Sequence, residues 1–220
     1  MTIMENHLWG PMPDAEMKEL ARLYIRDLGL HATFLQNGAC DLAKFAPQSK
    51  LYVLAHGHAQ MPMFTNENGK WSASQLALML EADGLPKDQR DIELLVCHAG
   101  QSVNDKATAS KLLKIFSKSE AAKAQGKGTG AFDAKYAEAA AKGTKPRFFE
   151  SDPEALLIPL AAQLAQALKR LGYTHFRVIS YKCPVAQYTT EGHVHLDLST
   201  KGGHWGARAT DHPTFRVIWQ

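Results

Sequence analysis

The sequence predicts an α/β fold with a mainly parallel central sheet, and three observations support this. Two short runs, Lys50–Ala55 and Ile92–Val96, are almost continuously apolar, which is typical of strands buried on both faces of a parallel sheet. Segments with helical periodicity separate the apolar runs, so right-handed crossover connections are expected. The chain of 220 residues is long enough for one domain with its own core, and it shows no internal repeat or interdomain linker.

Apolar periodicity predicts the helices. The pattern indicates one helix over Asp14–Leu28 and a shorter one over Ser74–Ala82. Two more are predicted over Asn104–Ser117 and Asp152–Leu171. Pro159 lies inside the last of these, so a kink is expected there, because proline cannot donate the helical hydrogen bond.

The remaining strands are shorter. Ala32–Gln36 and Phe176–Tyr181 have strand composition, and Asn66–Trp71 is predicted to form a turn or small hairpin. Apolar residues alternate with polar ones over Val194–Leu198 and again over Thr214–Trp219. These two segments are predicted to pair with each other and to form a C-terminal antiparallel extension of the sheet.

One segment differs from the rest in composition. Lys118–Lys145 is rich in alanine, lysine and glycine and has few large apolar residues. It predicts an exposed insertion, reaching to about residue 150, that contributes little to the core. Limited proteolysis is expected to cut this insertion first.

Composition argues against several classes of protein. The net charge of +3 is mild and the basic residues are scattered, so nucleic-acid binding is not expected. No apolar run approaches the roughly 18–20 residues that span a bilayer, so no membrane association is expected. Three widely spaced cysteines do not suggest a disulfide framework. The first residues lack the pattern of a secretory signal, which predicts a cytoplasmic protein or an effector exported without a cleaved signal.

Both buried strands end in a reactive side chain followed by small residues. The first strand precedes His56 and Gly57, and the second precedes Cys97. We expect these two strands to be adjacent, parallel and central in the sheet, with Phe176–Ser180 parallel beyond the second. Parallel strands end at one edge of the sheet and lie about 4.8 Å apart, so His56 and Cys97 should meet or lie one substrate group apart. An imidazole can take the proton of a nearby thiol, which makes the thiol a nucleophile. The backbone amides of Gly57 and Cys97 are candidate donors to an oxyanion.

This arrangement resembles the clan CD cysteine peptidases, which include caspases, gingipains and the self-processing domains of large bacterial toxins. The spacing of 41 residues between His56 and Cys97 is close to the value of about 50 for caspases. The resemblance covers roughly Leu51–Gly100 and implies a caspase-like three-layer α/β/α sandwich. It implies that His56 is the catalytic histidine, Gly57 the glycine beside it and Cys97 the nucleophile. Leu95-Val96 stands where caspases have Gln-Ala, which disfavours caspase-type aspartate specificity.

The resemblance also indicates the region that shapes specificity. It corresponds to Ser180–Val185, where Lys182 favours an acidic or polar occupant of the pocket. Cys183 lies in the same region, near the carboxyl edge of the sheet, and is the second candidate for a reactive thiol. Cys40 is the weakest candidate, because it follows a turn and precedes no apolar block.

The resemblance implies a cysteine peptidase, or a related thiol-dependent acyl-transfer enzyme such as a deamidase, that acts on protein or peptide substrates and needs no metal or cofactor. Two alternatives stay open. The first is a metal-dependent hydrolase, because histidines are zinc ligands and the chain is rich in them. The second is a caspase-like domain without activity that serves as a binding module. The histidines that carry the metal alternative are His56, His58, His193, His195, His204 and His212.

Overall fold

The structure is a computed structural model that describes residues 5–11, 13–58, 61–67, 69–101, 158–186, 194–197, 206–211 and 213–220. Within these residues, a six-stranded mixed sheet runs through the centre of the fold. Five of its strands are parallel and one edge strand is antiparallel. The described helices and strands are β1 (His7–Gly10), α1 (Ala15–Leu28), β2 (Phe34–Gln36), β3 (Lys50–Leu54), β4 (His56–His58), β5 (Met61–Asn66), β6 (Gly69–Trp71), α2 (Ala73–Ala82), β7 (Asp91–Leu95), α3 (Leu160–Arg170), β8 (Arg177–Tyr181), β9 (Val185–Ala186), β10 (His195–Asp197), β11 (Gly206–Arg208) and β12 (Arg216–Trp219).

The order of strands across the central sheet is β12-β8-β7-β3-β1-β2. The prediction that the two apolar runs form adjacent, parallel, central strands is confirmed, because β3 pairs with β7 in parallel. The prediction for β8 is confirmed as well, since it lies parallel to β7 on the other side. The α/β class follows, although the sequence analysis did not predict β1.

The predicted C-terminal pairing is wrong. Strand β12 pairs antiparallel with β8 and so extends the central sheet. Strand β10 instead lies between β9 and β11 in a separate three-stranded sheet. Alternation of apolar and polar residues tells which face of a strand is buried, but it carries no information about which strand is the neighbour.

Helices cover both faces of the central sheet. On one face, Met17, Ala21 and Tyr24 of α1 share a buried cluster with Leu54 and Leu95. On the other face, α2 and α3 pack together over the alternate strand residues, such as Val53 and Leu94. Strands buried on both sides explain why β3 and β7 are apolar at nearly every position. The arrangement is compatible with an α/β sandwich.

Capping residues fix both ends of α1. Asp14 caps α1 by accepting a hydrogen bond from the Met17 amide at 2.8 Å, and Gly29 ends the helix with a left-handed φ of 59°.

Helix α3 begins immediately after Pro159, whose ψ of 144° is not helical. The expectation of a kink inside a longer helix is therefore wrong, because Pro159 stands at the start of α3. The first part of that predicted helix, residues 152–157, lies outside the described residues.

The predicted hairpin is part of a small antiparallel sheet. Strands β5 and β6 form the hairpin, and β4 pairs with β5 on its other side. Only Ala55 separates β3 from β4, so the chain passes directly from the central sheet into the small one. The residues after β3 therefore form a strand, which the sequence analysis did not predict.

Two predicted segments fall where the structure describes nothing. The helix over 104–117 and the insertion over 118–145, extended to about 150, both lie in the range 102–157. Among the described helices, none is both long and apolar enough to cross a bilayer.

Candidate active site

His56 and Cys97 occupy matching positions at the carboxyl edge of the sheet. Strands β3 and β7 pair with an offset of 41 residues, and their last paired residues are Leu54 and Leu95. The same offset relates His56 to Cys97, each two residues beyond the end of its strand. Positions two residues apart in an extended chain face the same side, and Leu54 and Leu95 face α1. The sheet thus brings the two predicted site residues to one edge.

Cys183 occupies the corresponding position after the next strand, β8. Strands β7 and β8 pair with an offset of 86 residues, as in the pair Ile92 and Val178. This offset relates Cys97 to Cys183, and the amide of His98 donates a hydrogen bond to the Cys183 carbonyl at 3.1 Å. In a parallel ladder, a carbonyl accepts from the amide of the residue that follows its register partner, so this bond fits Cys97 and Cys183 as partners. The carboxyl edge of three neighbouring strands therefore presents a histidine and two cysteines.

Gly57 lies directly against the backbone of Cys97. A Cβ atom on Gly57 would stand 2.1 Å from the Cys97 carbonyl oxygen and 2.6 Å from Cγ1 of Val96. Real Cβ atoms essentially never come within 3.0 Å of such neighbours. From the sequence, Gly57 is predicted as an oxyanion donor beside His56; in the structure it also lies against the backbone just after β7. The glycine lets β4 run against Cys97 and so keeps His56 beside it.

The chain turns sharply after Cys97. His98 has a φ of 60°, and among the described residues it is the one non-glycine with a positive φ. Such a conformation costs about 1–3 kcal/mol, and residues that adopt it cluster at functional sites. Its amide and that of Gly100 donate to the carbonyls of Cys183 and Tyr181, at 3.1 and 2.9 Å. These two amides are therefore engaged in holding the turn and are not oxyanion donors.

The first turn of α1 places carboxylates beside His56. The imidazole Nε2 lies 3.5 Å from Oε2 of Glu16, and 36% of the His56 side chain is exposed. Burial raises the pKa of nearby Asp14, but amide hydrogen bonds from Met17 and Glu67 and the charge of His56 outweigh it, so the pKa lies below its usual range. Asp14 is thus an anion at neutral pH. No spacing in the sequence indicated Glu16, because the contact depends on how α1 lies across the sheet.

The thiol of Cys97 is partly buried on the side of α1. Its Sγ lies 3.8 Å from the carbonyl oxygen of Val185. Burial raises the pKa of the Tyr24 phenol, and the nearby acidic groups Cys97 and Asp27 act in the same direction. Tyr24 therefore stays neutral next to the thiol. The sequence analysis did not single out Tyr24, which reads there as one more apolar position of α1.

Cys40 differs from Cys97 in its surroundings. Burial raises the pKa of Cys40 to about 12, and the carboxylate of Asp83, 3.5 Å from its Sγ, contributes in the same direction. A thiol with this pKa is almost entirely protonated at neutral pH and is a poor nucleophile. All three cysteines belong to the described residues, and none of them forms a disulfide.

Most of the histidines that would bind a metal in a metal-dependent hydrolase lie outside the residues, or the side chains, that the structure describes. His193, His204 and His212 are not described, and for His58 and His195 only the backbone is. In the part of the chain that the structure describes, no three side chains of histidine, cysteine, aspartate or glutamate come together as a metal site. The metal alternative stays a prediction.

In the predicted specificity region, Lys182 is exposed and Cys183 is buried.

A cavity of about 550 Å³ lies at the other edge of the sheet. Its lining includes Arg90, Asp91, His175 and Arg177, which precede or begin β7 and β8. Because His56 and Cys97 follow the opposite ends of their strands, this cavity is not part of the candidate active site.

The chain matches no protein-family model and no curated protein sequence.

Proposed function

We propose that this chain is a cysteine peptidase, or a related thiol-dependent acyl-transfer hydrolase, with Cys97 as the nucleophile and His56 as the proton acceptor. The observation that carries the proposal is the pairing register of β3 and β7, because His56 and Cys97 follow its last pair, Leu54 and Leu95, by two residues each. Ligands and reacting groups of open α/β sheets collect at this carboxyl edge. The resemblance of the segment from Leu51 to Gly100 to clan CD peptidases supports the same assignment.

The proposed reaction begins with proton transfer from the Cys97 thiol to the imidazole of His56. The thiolate then attacks the substrate carbonyl carbon, and the electron pair of the C=O bond moves to the oxygen. When this intermediate collapses, the leaving amine takes the proton from the imidazolium, and a thioester remains on Cys97. Water hydrolyses the thioester and restores both groups. Glu16, 3.5 Å from Nε2, would stabilise the imidazolium, and the amides of Gly57 and Cys97 are the proposed oxyanion donors.

The turn after Cys97 supports the role of that residue. A strained, left-handed His98 directly after the cysteine turns the chain away from the sheet edge. Gly57 meanwhile keeps the His56 strand in contact with the Cys97 carbonyl. Both features fix the backbone at the proposed catalytic pair, as preorganised catalysis requires. The left-handed His98 costs conformational energy, and the close contact at Gly57 permits no residue with a side chain. A strand end with a purely structural role does not require either feature.

The proposal is tested with Cys97→Ala, His56→Ala and His58→Ala in an assay on a peptide library of diverse sequence. Cys40→Ala is the matched control, since it removes a thiol that is not activated. We expect Cys97→Ala to abolish hydrolysis and His56→Ala to lower the rate by about 10²–10⁴-fold, the usual value of general acid–base assistance. His58→Ala, Cys40→Ala and added chelator should have little effect.

The alternatives predict other patterns. A metal-dependent hydrolase would lose activity in both histidine variants and with chelator, and would tolerate Cys97→Ala. An inactive binding module would hydrolyse no peptide, and its Cys97 would not react faster than an ordinary thiol with an electrophilic peptide probe. Either pattern would overturn the proposal.

A further inference from the structure

We propose that Cys97 and Cys183 are an oxidation site, at which a hydroperoxide converts the two thiols into a reversible disulfide. The disulfide itself is inferred from the sheet geometry alone. Its consequence, that oxidation switches off the nucleophile, rests on the proposed function.

The strand register brings the two cysteines close enough. The 86-residue offset of β7 and β8, whose last pair is Glu93 and Ile179, relates the two cysteines when it is continued past the strands. The His98 amide donates to the Cys183 carbonyl at 3.1 Å, which agrees with this continuation. Register partners on neighbouring strands have backbones about 4.8 Å apart. A disulfide requires Cα atoms between about 4.4 and 6.8 Å apart, so the backbone need not move far to form it.

The two side chains also lie on the same side of the sheet. Cys183 belongs to the buried cluster that α1 covers, together with Tyr24 and Tyr181. The Sγ atom of Cys97 is in contact with the carbonyl of Val185, two residues beyond Cys183. Cys40, by contrast, packs against the cluster on the other face. It therefore cannot compete for either thiol.

Exposure gives the two cysteines different roles. Cys97 is partly exposed, whereas only 7% of Cys183 is accessible. The Cys97 thiolate attacks the terminal oxygen of the hydroperoxide, the O–O bond breaks, and an alcohol leaves, or water if the oxidant is hydrogen peroxide. Cys183 then attacks the sulfenic acid, an S–S bond forms, and a water molecule leaves. The two thiols together lose two electrons, and the peroxide accepts these two electrons.

Under the proposed function, this disulfide blocks Cys97 and protects it. A sulfenic acid without a neighbouring thiol is oxidised further to sulfinic acid, which is not reversed by thiols. With Cys183 beside it, Cys97 is held as a disulfide that a dithiol reductant reopens. Activity would then be lost in peroxide and regained on reduction.

The experiment treats the full wild-type chain, Cys183→Ser and Cys40→Ser with hydrogen peroxide, blocks remaining thiols and maps the peptides by mass spectrometry. We expect a peptide pair linked through Cys97 and Cys183 in the wild type and in Cys40→Ser, and its loss after treatment with dithiothreitol. In Cys183→Ser we expect Cys97 sulfenic acid, trapped with dimedone, and about tenfold more sulfinic acid than in the wild type.

The linked peptide is measured in the wild type, so the test does not depend on the folding of a variant. If Cys97 is oxidised to sulfinic acid equally in the wild type and Cys183→Ser, or if no linked pair forms at any peroxide dose, the inference is wrong. The readout needs no peptidase activity. A linked pair in a chain that hydrolyses no peptide even in its reduced form would uphold the disulfide and refute the proposed function.

Discussion

Replacing Gly57 by alanine adds a methyl group where the backbone of Cys97 leaves no room. The added Cβ would lie 2.1 Å from the Cys97 carbonyl oxygen, whereas real contacts of this kind stay beyond 3.0 Å. This carbonyl belongs to the backbone, and the next amide, that of His98, donates to the Cys183 carbonyl at 3.1 Å. The Cys97 carbonyl therefore cannot rotate away without loss of that hydrogen bond. Strand β4 must therefore move outwards by nearly 1 Å, the difference between these two distances.

Two effects of Gly57→Ala are expected from this displacement. Overpacking of this kind destabilises a protein by about 1–3 kcal/mol, which guanidinium denaturation measures. A displacement of about 1 Å between reacting groups costs about 10²-fold in rate. The rate at which an electrophilic probe alkylates Cys97 at neutral pH should fall by up to that factor, because His56 moves away with β4.

Gly29→Ala is the matched control for Gly57→Ala. An added Cβ at Gly29 meets nothing within 4 Å, and the substitution is opposed only by the left-handed φ of 59°. Gly29→Ala should lower the stability by about 1 kcal/mol and leave the rate of Cys97 alkylation unchanged. If Gly57→Ala matches the wild type in both stability and Cys97 reactivity, the contact between β4 and Cys97 is not as described.

Two further predictions concern buried carboxylates. Because its folded pKa is depressed, Asp14 stabilises the fold above its unfolded pKa of about 3.9, and this contribution disappears as the pH falls through the folded pKa. Asp14→Asn should therefore be less stable than the wild type at pH 7, with a difference that shrinks on acidification; a constant difference from pH 7 to pH 2 would contradict this. Asp83→Ala should cost about 1–3 kcal/mol, because the buried indole N–H of Trp9, now 2.8 Å from Asp83, loses its acceptor. The exposed control Asp88→Ala should stay within about 0.5 kcal/mol of the wild type in thermal denaturation, and equal losses in the two variants would count against a special role for Asp83.

The sequence predicted the centre of the sheet because local signals there agree with the tertiary structure. Strands β3 and β7 are apolar throughout, and the residues that cap α1 stand at its two ends. These signals depend on neighbouring residues only. The position of His56 and Cys97 at one edge followed from them, since parallel strands all end on the same side.

The remaining features depend on contacts between distant segments. The partner of β12 is decided by which sheet edge is open to it, and the alternation over Thr214–Trp219 does not encode that choice. Pro159 fits both the interior of a kinked helix and the start of a straight one, so its position alone did not decide between them. The contacts of Glu16 with His56 and of Gly57 with Cys97 appear only when α1 and β4 are placed on the sheet.

The central claim is that His56 activates Cys97, and the measurement that tests it most directly is the rate of Cys97 alkylation in the wild type and in His56→Ala. Each cysteine is followed separately by mass spectrometry with iodoacetamide at pH 7. Cys40 is the internal reference, because its pKa of about 12 keeps it protonated.

We expect Cys97 of the wild type to react far faster than Cys40 and Cys183. In His56→Ala, the Cys97 rate should fall by at least about tenfold and rise again with pH towards the titration of an ordinary thiol, near 8.5. Cys40 and Cys183 should be unaffected by the substitution. Equal rates for Cys97 in the two proteins, or a wild-type Cys97 no faster than Cys40, would contradict the claim.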